Sequence, residues 1–378
     1  MSSSPESQSY DDYSPLVVDD ENHSDHDSTY EGSIESETTS VTSSIYKYRV
    51  ENGRRYHAFK DGAYYAPNDE AAQDTLDIAH HSYLLLFGQK LCLAPIERPQ
   101  TSEPEQVRYC AIPSFHDPIS IRRHRKAILP TLISNPPSPT SKLTLDTGTK
   151  TGIWAIDFAE DHPQAAIIGT DLSPTMPSWV PPNVTFTIDD CNEYPWSFKP
   201  NSMDFIHARD LFGCINDWPE FLAQCYRTTK PGGYVELSTR AVWLACDDGS
   251  IPDDPDHVYN IWDRTFREVG ERTGKTTTII EKQRELMEKA GFEDVVEVKL
   301  KMPLGPWAKD KMLKEVGKFY YLECLQGLEG WALAFLTRTL GWDVVEVQVL
   351  LAKFRAAMKD RSLHVYVPYN TVYGRKPA

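Results

Sequence analysis

From Leu143 onward, short apolar runs alternate with segments whose apolar residues recur at helical spacing. The runs at 143 to 147, 166 to 170, 184 to 188, 203 to 207 and 233 to 237 predict five strands, and segments near 152 to 161 and 217 to 228 predict helices between them. Strand and helix in alternation imply a mostly parallel sheet with helices on both faces. Upstream, residues 70 to 87 lack Gly and Pro and space their apolar residues for one helix carrying His80, His81 and Tyr83. Before it, "YRVENGRRYHAF" and "DGAYYAPNDE" break at Asn52-Gly53 and Asp61-Gly62, which predicts a small β-flap. A Pro- and Ser-rich connection, 129 to 142, separates the helix from the first long strand. Residues 1 to 44 show no periodicity at all, and their excess of Ser, Asp and Glu predicts a disordered, dispensable tail.

Composition refines this picture in two places. With 40% hydrophobic and 11% aromatic residues, the 378-residue chain has ample material for a core. Its net charge of −16 would suggest basic partners, but the tail alone holds eleven acids and no Lys or Arg, leaving about −5 on the remainder. That balance argues against direct binding of nucleic acid. No basic segment followed by an apolar run opens the chain, and no run approaches twenty apolar residues, so the expectation is a soluble, intracellular protein without membrane contact. The seven cysteines stand singly, with no C-x-x-C pair and no histidines at ligand intervals, so reduced thiols and no metal site are expected. The run "IRRHRK", 121 to 126, reads either as a nuclear localisation patch or as a solvated face.

The residues that carry chemistry fall just after the predicted strands, where sheets of this kind bind ligands. Asp146, Gly148 and Gly152 follow the first strand. Gly148 permits close backbone approach, and the next helix offers N–H groups at its amino end. Asp171, followed by Leu172, ends the second strand at the distance where an acid accepts hydrogen bonds from ribose hydroxyls. The third strand runs into Asp190 and Cys191, placed to read an adenine amino group, and the fourth ends at His207 to Arg209. "KPGGYVEL" then predicts a Pro-Gly-Gly turn into the fifth strand. Each acid alone reads equally well as a helix cap, but in this order and spacing the set is specific. A nicotinamide site would need G-x-G-x-x-G, and residues 148 to 153 read G-T-K-T-G-I.

This D-x-G-x-x-x-G loop, the later acid, the D-D pair, "FIHARD" and "KPGG" resemble the class I S-adenosylmethionine-dependent methyltransferase core. The resemblance is closer to the LaeA-like fungal methyltransferases, whose pattern matches "PNDEAAQDTLDIAHHSYLLLF", "GTDLSPTMPSWVPPNVTFTIDD", "HARDLFGCINDWPEFL" and "LHVYVPYNTVYGRKP". It implies a seven-stranded Rossmann-like α/β sheet with an N-terminal flap and helix and helical lid insertions. "EDVVEVKLKM" would be the sixth strand and "HVYVPYNTVYGRK" the last, antiparallel one. The domains implied are a tail (1–44), a flap and helical extension (45–128) and a methyltransferase domain (143–378). The cofactor implied is S-adenosyl-L-methionine, held by Asp146, Gly148, Gly152, Asp171, Leu172, Asp190 and Cys191.

One position departs from the family, because Lys150 stands where the loop has its middle glycine. A lysine there must adopt glycine's backbone angles or tilt the turn, and its ammonium would then pair with the cofactor carboxylate or oppose the sulfonium. The reaction expected is methyl transfer to a small-molecule acceptor in secondary metabolite biosynthesis, in the cytoplasm. Where a base is needed, His207, His81 and His80 are the candidates. Aromatic residues from 241 to 282 and in "KFYYLECLQGLEGWALAF" would build a substrate lid or ordinary core. The alternative is a nuclear regulator of secondary metabolism that binds velvet-type proteins, or a derivative impaired in cofactor binding by Lys150.

Overall fold

The computed structural model describes residues 48–57, 59–60, 62–96 and 142–378. The acidic tail, the "IRRHRK" patch, Asp61 and nearly all of the Pro-rich connection lie outside these residues. Arg49–Glu51 (β1) and Arg54–Tyr56 (β2) form an antiparallel hairpin whose turn residues Asn52 and Gly53 take φ of 50° and 76°, as the Asn-Gly pair predicts. Helix α1, Glu70–Leu86, is capped by the Asp69 carboxylate, which accepts the Ala72 N–H.

The remaining strands make one seven-stranded sheet. They are β3 (Leu143–Thr147), β4 (Ala166–Asp171), β5 (Val184–Ile188), β6 (Met203–Arg209), β7 (Thr229–Arg240), β8 (Glu293–Pro303) and β9 (Tyr366–Arg375). Their spatial order is β5-β4-β3-β6-β7-β9-β8, and β9 runs antiparallel to both of its neighbours. The first five are parallel and the order reverses between β3 and β6, so a crevice opens at their carboxyl ends. The Pro-Gly-Gly segment differs from expectation. It is absorbed into β7 as an irregularity: Met203 pairs with Thr229 while Phe205 pairs with Tyr234. Gly232, at φ 79°, supplies the bend that Pro231 cannot support with an N–H.

Helices α2 (Ile153–Asp161), α3 (Trp218–Thr228), α4 (Val258–Thr273), α5 (Gln283–Lys289), α6 (Lys311–Ala334) and α7 (Val344–Met358) cover the sheet. α1 packs along α6, which continues into a π-helical turn, Phe335–Leu340. Trp154, Phe158 and Phe205 fill the layer under α2. A larger core joins α1, α3, α4, α6 and α7 to β7 and β9 through Leu237, Trp262, Leu328, Phe354 and Tyr369. The segment 92 to 94 is tied to the sheet by Glu236, whose carboxylate accepts the N–H groups of Leu93 and Ala94 at 2.8 and 2.6 Å. Among the described residues no helix is long and apolar enough to cross a membrane.

Candidate functional site

The turn after β3 is built from three left-handed residues at alternate positions: Gly148 (φ 70°), Lys150 (φ 60°) and Gly152 (φ 76°). Lys150 therefore takes the backbone conformation a glycine would take there, at a cost of about 1–2 kcal/mol. The turn holds that shape because its amides are engaged. Gly148 and Thr149 donate to the Thr170 carbonyl, Gly152 donates to that of Thr149, and Lys150 donates to Asp171 Oδ2 at 2.8 Å. The loop's amides are thus engaged by the loop and by the end of β4.

A cleft of about 810 Å³, open on one side, lies over this turn at the carboxyl ends of β3 to β6. Gly148, Asp171, Leu172, Asp190 and Cys191 line it, so five of the seven expected cofactor residues are gathered there. Gly148 must lack a side chain, since a Cβ would come within 2.4 Å of Leu211 Cδ2. Asp171 accepts the Ser173 N–H through Oδ1 as well as that of Lys150, and burial raises its pKa against both bonds. Burial would also raise Asp190, but the Lys60 ammonium, 2.6 Å from Oδ2, holds it below its ordinary value. Two buried polar atoms of the cleft residues, Ser173 Oγ and Asn68 Nδ2, find no hydrogen-bond partner among the described residues. Since buried polar groups are normally paired, each is a candidate partner for a polar ligand bound in the cleft.

Five of the expected residues, Asp146, Gly152, His207, His81 and His80, do not line the cleft. Asp146 does not line the cleft: its carboxylate accepts the Thr149 hydroxyl and bonds His207 Nδ1 at 2.7 Å, so it braces the turn from below. Gly152 is required by packing, as a Cβ there would meet Phe186 Cζ at 2.3 Å. His207 is buried beneath the sheet, stacked on Trp154 at 3.8 Å and 6°. Burial lowers its pKa, the Asp146 carboxylate opposes that shift, and the ring does not face the cleft. His81 rests edge-on against Phe319 of α6, and His80 bonds Asp157 through Nε2 while facing Arg209 through Nδ1. None of these histidines lines the cleft, and each contacts a neighbouring element.

Sequence reasoning passed over Asp210, Tyr64, Asn68 and Ser173, all of which line the cleft. Asp210 Oδ2 accepts the Tyr83 hydroxyl at 2.6 Å and lies 3.8 Å from Lys150 Nζ. Burial would raise its pKa, but Lys150 and Arg240 hold it low, so it is a carboxylate. Its position directly after β6 was the available signal. Tyr64 and Asn68 come from the flap, far away in sequence.

Lys150, Asp210 and Tyr64 also line a second cavity of about 520 Å³, walled by Tyr65, Phe212, Arg240 and Trp331. These last four residues in turn line a third, of about 500 Å³, with Trp243, Trp262 and Phe354. The guanidinium of Arg240 lies over the Trp331 ring at 4.8 Å and pairs with buried Glu323. The acid-lined cleft and the aromatic chamber, roofed by α4 and α6, thus lie on either side of the second cavity, with Lys150 and Asp210 in the wall it shares with the cleft.

Comparison with known proteins agrees with this geometry. A family model described as "Methyltransferase domain" matches residues 121–298. The methyltransferase pytC of Aspergillus terreus is 32% identical over 91% of this chain and 92% of its own. The secondary metabolism regulator LAE1 of Cochliobolus heterostrophus is 30% identical, covering 87% and 94% of the two chains. The protein-methionine methyltransferase laeA of Emericella nidulans is 26% identical, covering 88% and 77%.

Proposed function

We infer what the site does from one premise: the chain belongs to the LaeA-like family of fungal S-adenosylmethionine-dependent methyltransferases. Its activity is methyl transfer in fungal secondary metabolism. The observation that carries our reading of the site is the pair of unpartnered buried atoms, Ser173 Oγ and Asn68 Nδ2, in a cleft lined by Asp171, Asp189, Asp190 and Asp210. Unsatisfied polar atoms among several carboxylates fit a ligand that carries hydroxyls, an amino group and positive charge.

In this reading Asp171 accepts the ribose hydroxyls with the lone pairs that Lys150 and Ser173 leave open, since each carboxylate oxygen accepts two hydrogen bonds. Asp190 and Cys191 flank the base, Leu172 packs on it, and Gly148 lets the backbone approach. When bound, S-adenosylmethionine supplies an electrophilic methyl group on its sulfonium sulfur. The protein's part is to hold a nucleophile in line with that methyl, and placement of this kind accounts for most of the rate that such a site can provide. We assign the acceptor to the aromatic chamber, with its reacting group at the neck formed by Lys150 and Asp210. Asp210, kept ionised, orients an O–H or N–H of the acceptor by accepting a hydrogen bond. Its depressed pKa makes it a weak base, so this site favours acceptors that lose their proton readily.

A small, partly aromatic acceptor methylated in the cytoplasm is therefore our reading of the substrate. The relatives named as a secondary metabolism regulator and a protein-methionine methyltransferase support a second one, a protein-modifying regulator; in that reading we place it in the nucleus with velvet-type partners. Titration calorimetry of S-adenosylhomocysteine tests the cofactor site: micromolar or tighter binding supports it, and a flat titration removes it. Incubation of tritiated S-adenosylmethionine with fungal extract then separates the two acceptor classes. Label in the organic-soluble fraction supports the small molecule, whereas label confined to acid-precipitable protein supports the regulator.

A further inference from the structure

Lys150 does more than occupy a strained position. Its Nζ donates to the Arg209 carbonyl at 3.0 Å and lies 3.8 Å from Asp210 Oδ2. Among the described residues that line the cleft it is the sole cationic side chain, and its side chain is only 16% exposed. The end of β6 thus presents a carbonyl and a carboxylate side by side, an acceptor pair suited to an ammonium group, and the protein's own ammonium is already bound to it. Burial lowers the lysine pKa, Asp210 opposes that shift, and Arg209 and Arg240 add to it.

The proposed function puts ribose and base at the Asp171 and Asp190 end of the cleft. The amino-acid tail, which carries an ammonium of its own, then runs from the ribose over Gly148 toward Lys150 and Asp210, on the cofactor side of the neck that the acceptor's reacting group reaches from the chamber. Two ammonium groups cannot share one carbonyl and one carboxylate in a desolvated pocket without mutual repulsion. We propose that Lys150 is a built-in occupant of the cleft's cation subsite, so that this protein holds thioadenosine nucleosides by the nucleoside alone and gains no affinity from the amino-acid tail. The inference rests on the cofactor reading above, but it concerns the ratio of two affinities, not either affinity by itself.

The test is calorimetric titration of the full chain with two probes: S-adenosylhomocysteine, which has the tail, and 5′-methylthioadenosine, which lacks it. In the wild type the two dissociation constants should agree within about threefold. In Lys150→Gly and in Lys150→Met the ammonium is gone, and S-adenosylhomocysteine should tighten about tenfold or more relative to methylthioadenosine. The glycine variant fits the left-handed backbone at residue 150 without strain, so its melting temperature should not fall. Equal tightening of both probes would mean that the lysine acts through strain alone, and would overturn the proposal. A tail preference that is present in the wild type and shrinks in the variants would overturn it in favour of a lysine bound to the tail's carboxylate. Failure of all three proteins to bind either probe would instead remove the cofactor site itself, and the proposal with it.

Discussion

The Lys60 ammonium of the flap lies 2.6 Å from Asp190 Oδ2, just beyond the end of β5, and also pairs with Glu193. One contact thus fastens the N-terminal extension to the rim of the cleft, 130 residues away in sequence. Tyr64 and Asn68, four and eight positions further on, are delivered to the cleft by the same segment.

If that clasp completes the cleft, Lys60→Met should weaken S-adenosylhomocysteine binding by about twofold to fivefold, in keeping with a partly exposed ion pair worth roughly 1 kcal/mol or less. The melting temperature should stay within about 2 °C of the wild type. Calorimetry beside a thermal melt checks both, and an unchanged dissociation constant would detach the flap from binding.

Asp171→Ala should abolish more than the ribose contacts we propose. The carboxylate also accepts the N–H groups of Lys150 and Ser173, so the variant leaves two amides without partners. We expect affinity to fall about a hundredfold or more, together with a loss of about 1–3 kcal/mol of stability for each amide left unsatisfied. Denaturant titration alongside calorimetry measures the two losses separately, and full stability with lost binding would mean that other groups satisfy the amides.

His207 is engaged by Trp154 and Asp146, away from the cleft. His207→Ala removes a ring stacked on Trp154 and leaves the buried Asp146 carboxylate with the Thr149 hydroxyl but without the imidazole, so stability should drop by about 2–4 kcal/mol. The affinity of the folded protein for S-adenosylhomocysteine should change less than about threefold. Retained stability with lost methyl transfer would restore the catalytic assignment.

Glu236 should make stability depend on pH. Burial raises its pKa from 4.5 to about 7, even though the N–H groups of Ala94 and Leu93 favour the charged form. A carboxyl raised in the folded state contributes stability that is fully present below pH 4.5 and is lost as pH climbs through about 7. The loss on the alkaline side is about 3 kcal/mol. Glu236→Gln keeps an acceptor for both amides and cannot ionise, so its melting temperature should be flatter between about pH 5 and 8. Parallel slopes for the two proteins would show that the charge is relieved another way.

What the amino-acid sequence determined by itself was local. The strands 143–147 and 166–170 appear where the apolar runs stand, because burial on both faces of a parallel sheet selects such runs directly, and 184–188, at the sheet's edge, shows the apolar–polar alternation of a half-buried strand. Asp171, Asp190 and Cys191 reached the cleft because strand ends are set by the same pattern. Lys150 was conspicuous because a lysine interrupts a glycine turn, and φ at that position is a property of a few neighbouring residues. Tertiary structure alone decided the direction of each side chain. Asp146 and His207 sit at adjacent positions on paired strands and face the layer under α2, whereas Asp210, one residue beyond β6, faces the cleft. Successive residues of a strand point to opposite faces, and which face meets the ligand depends on the helices that cover the sheet. The flap, α1 and α6 enter the site from sequence distances that no local pattern records. Their contribution is set by packing between surfaces brought together only when the whole chain folds.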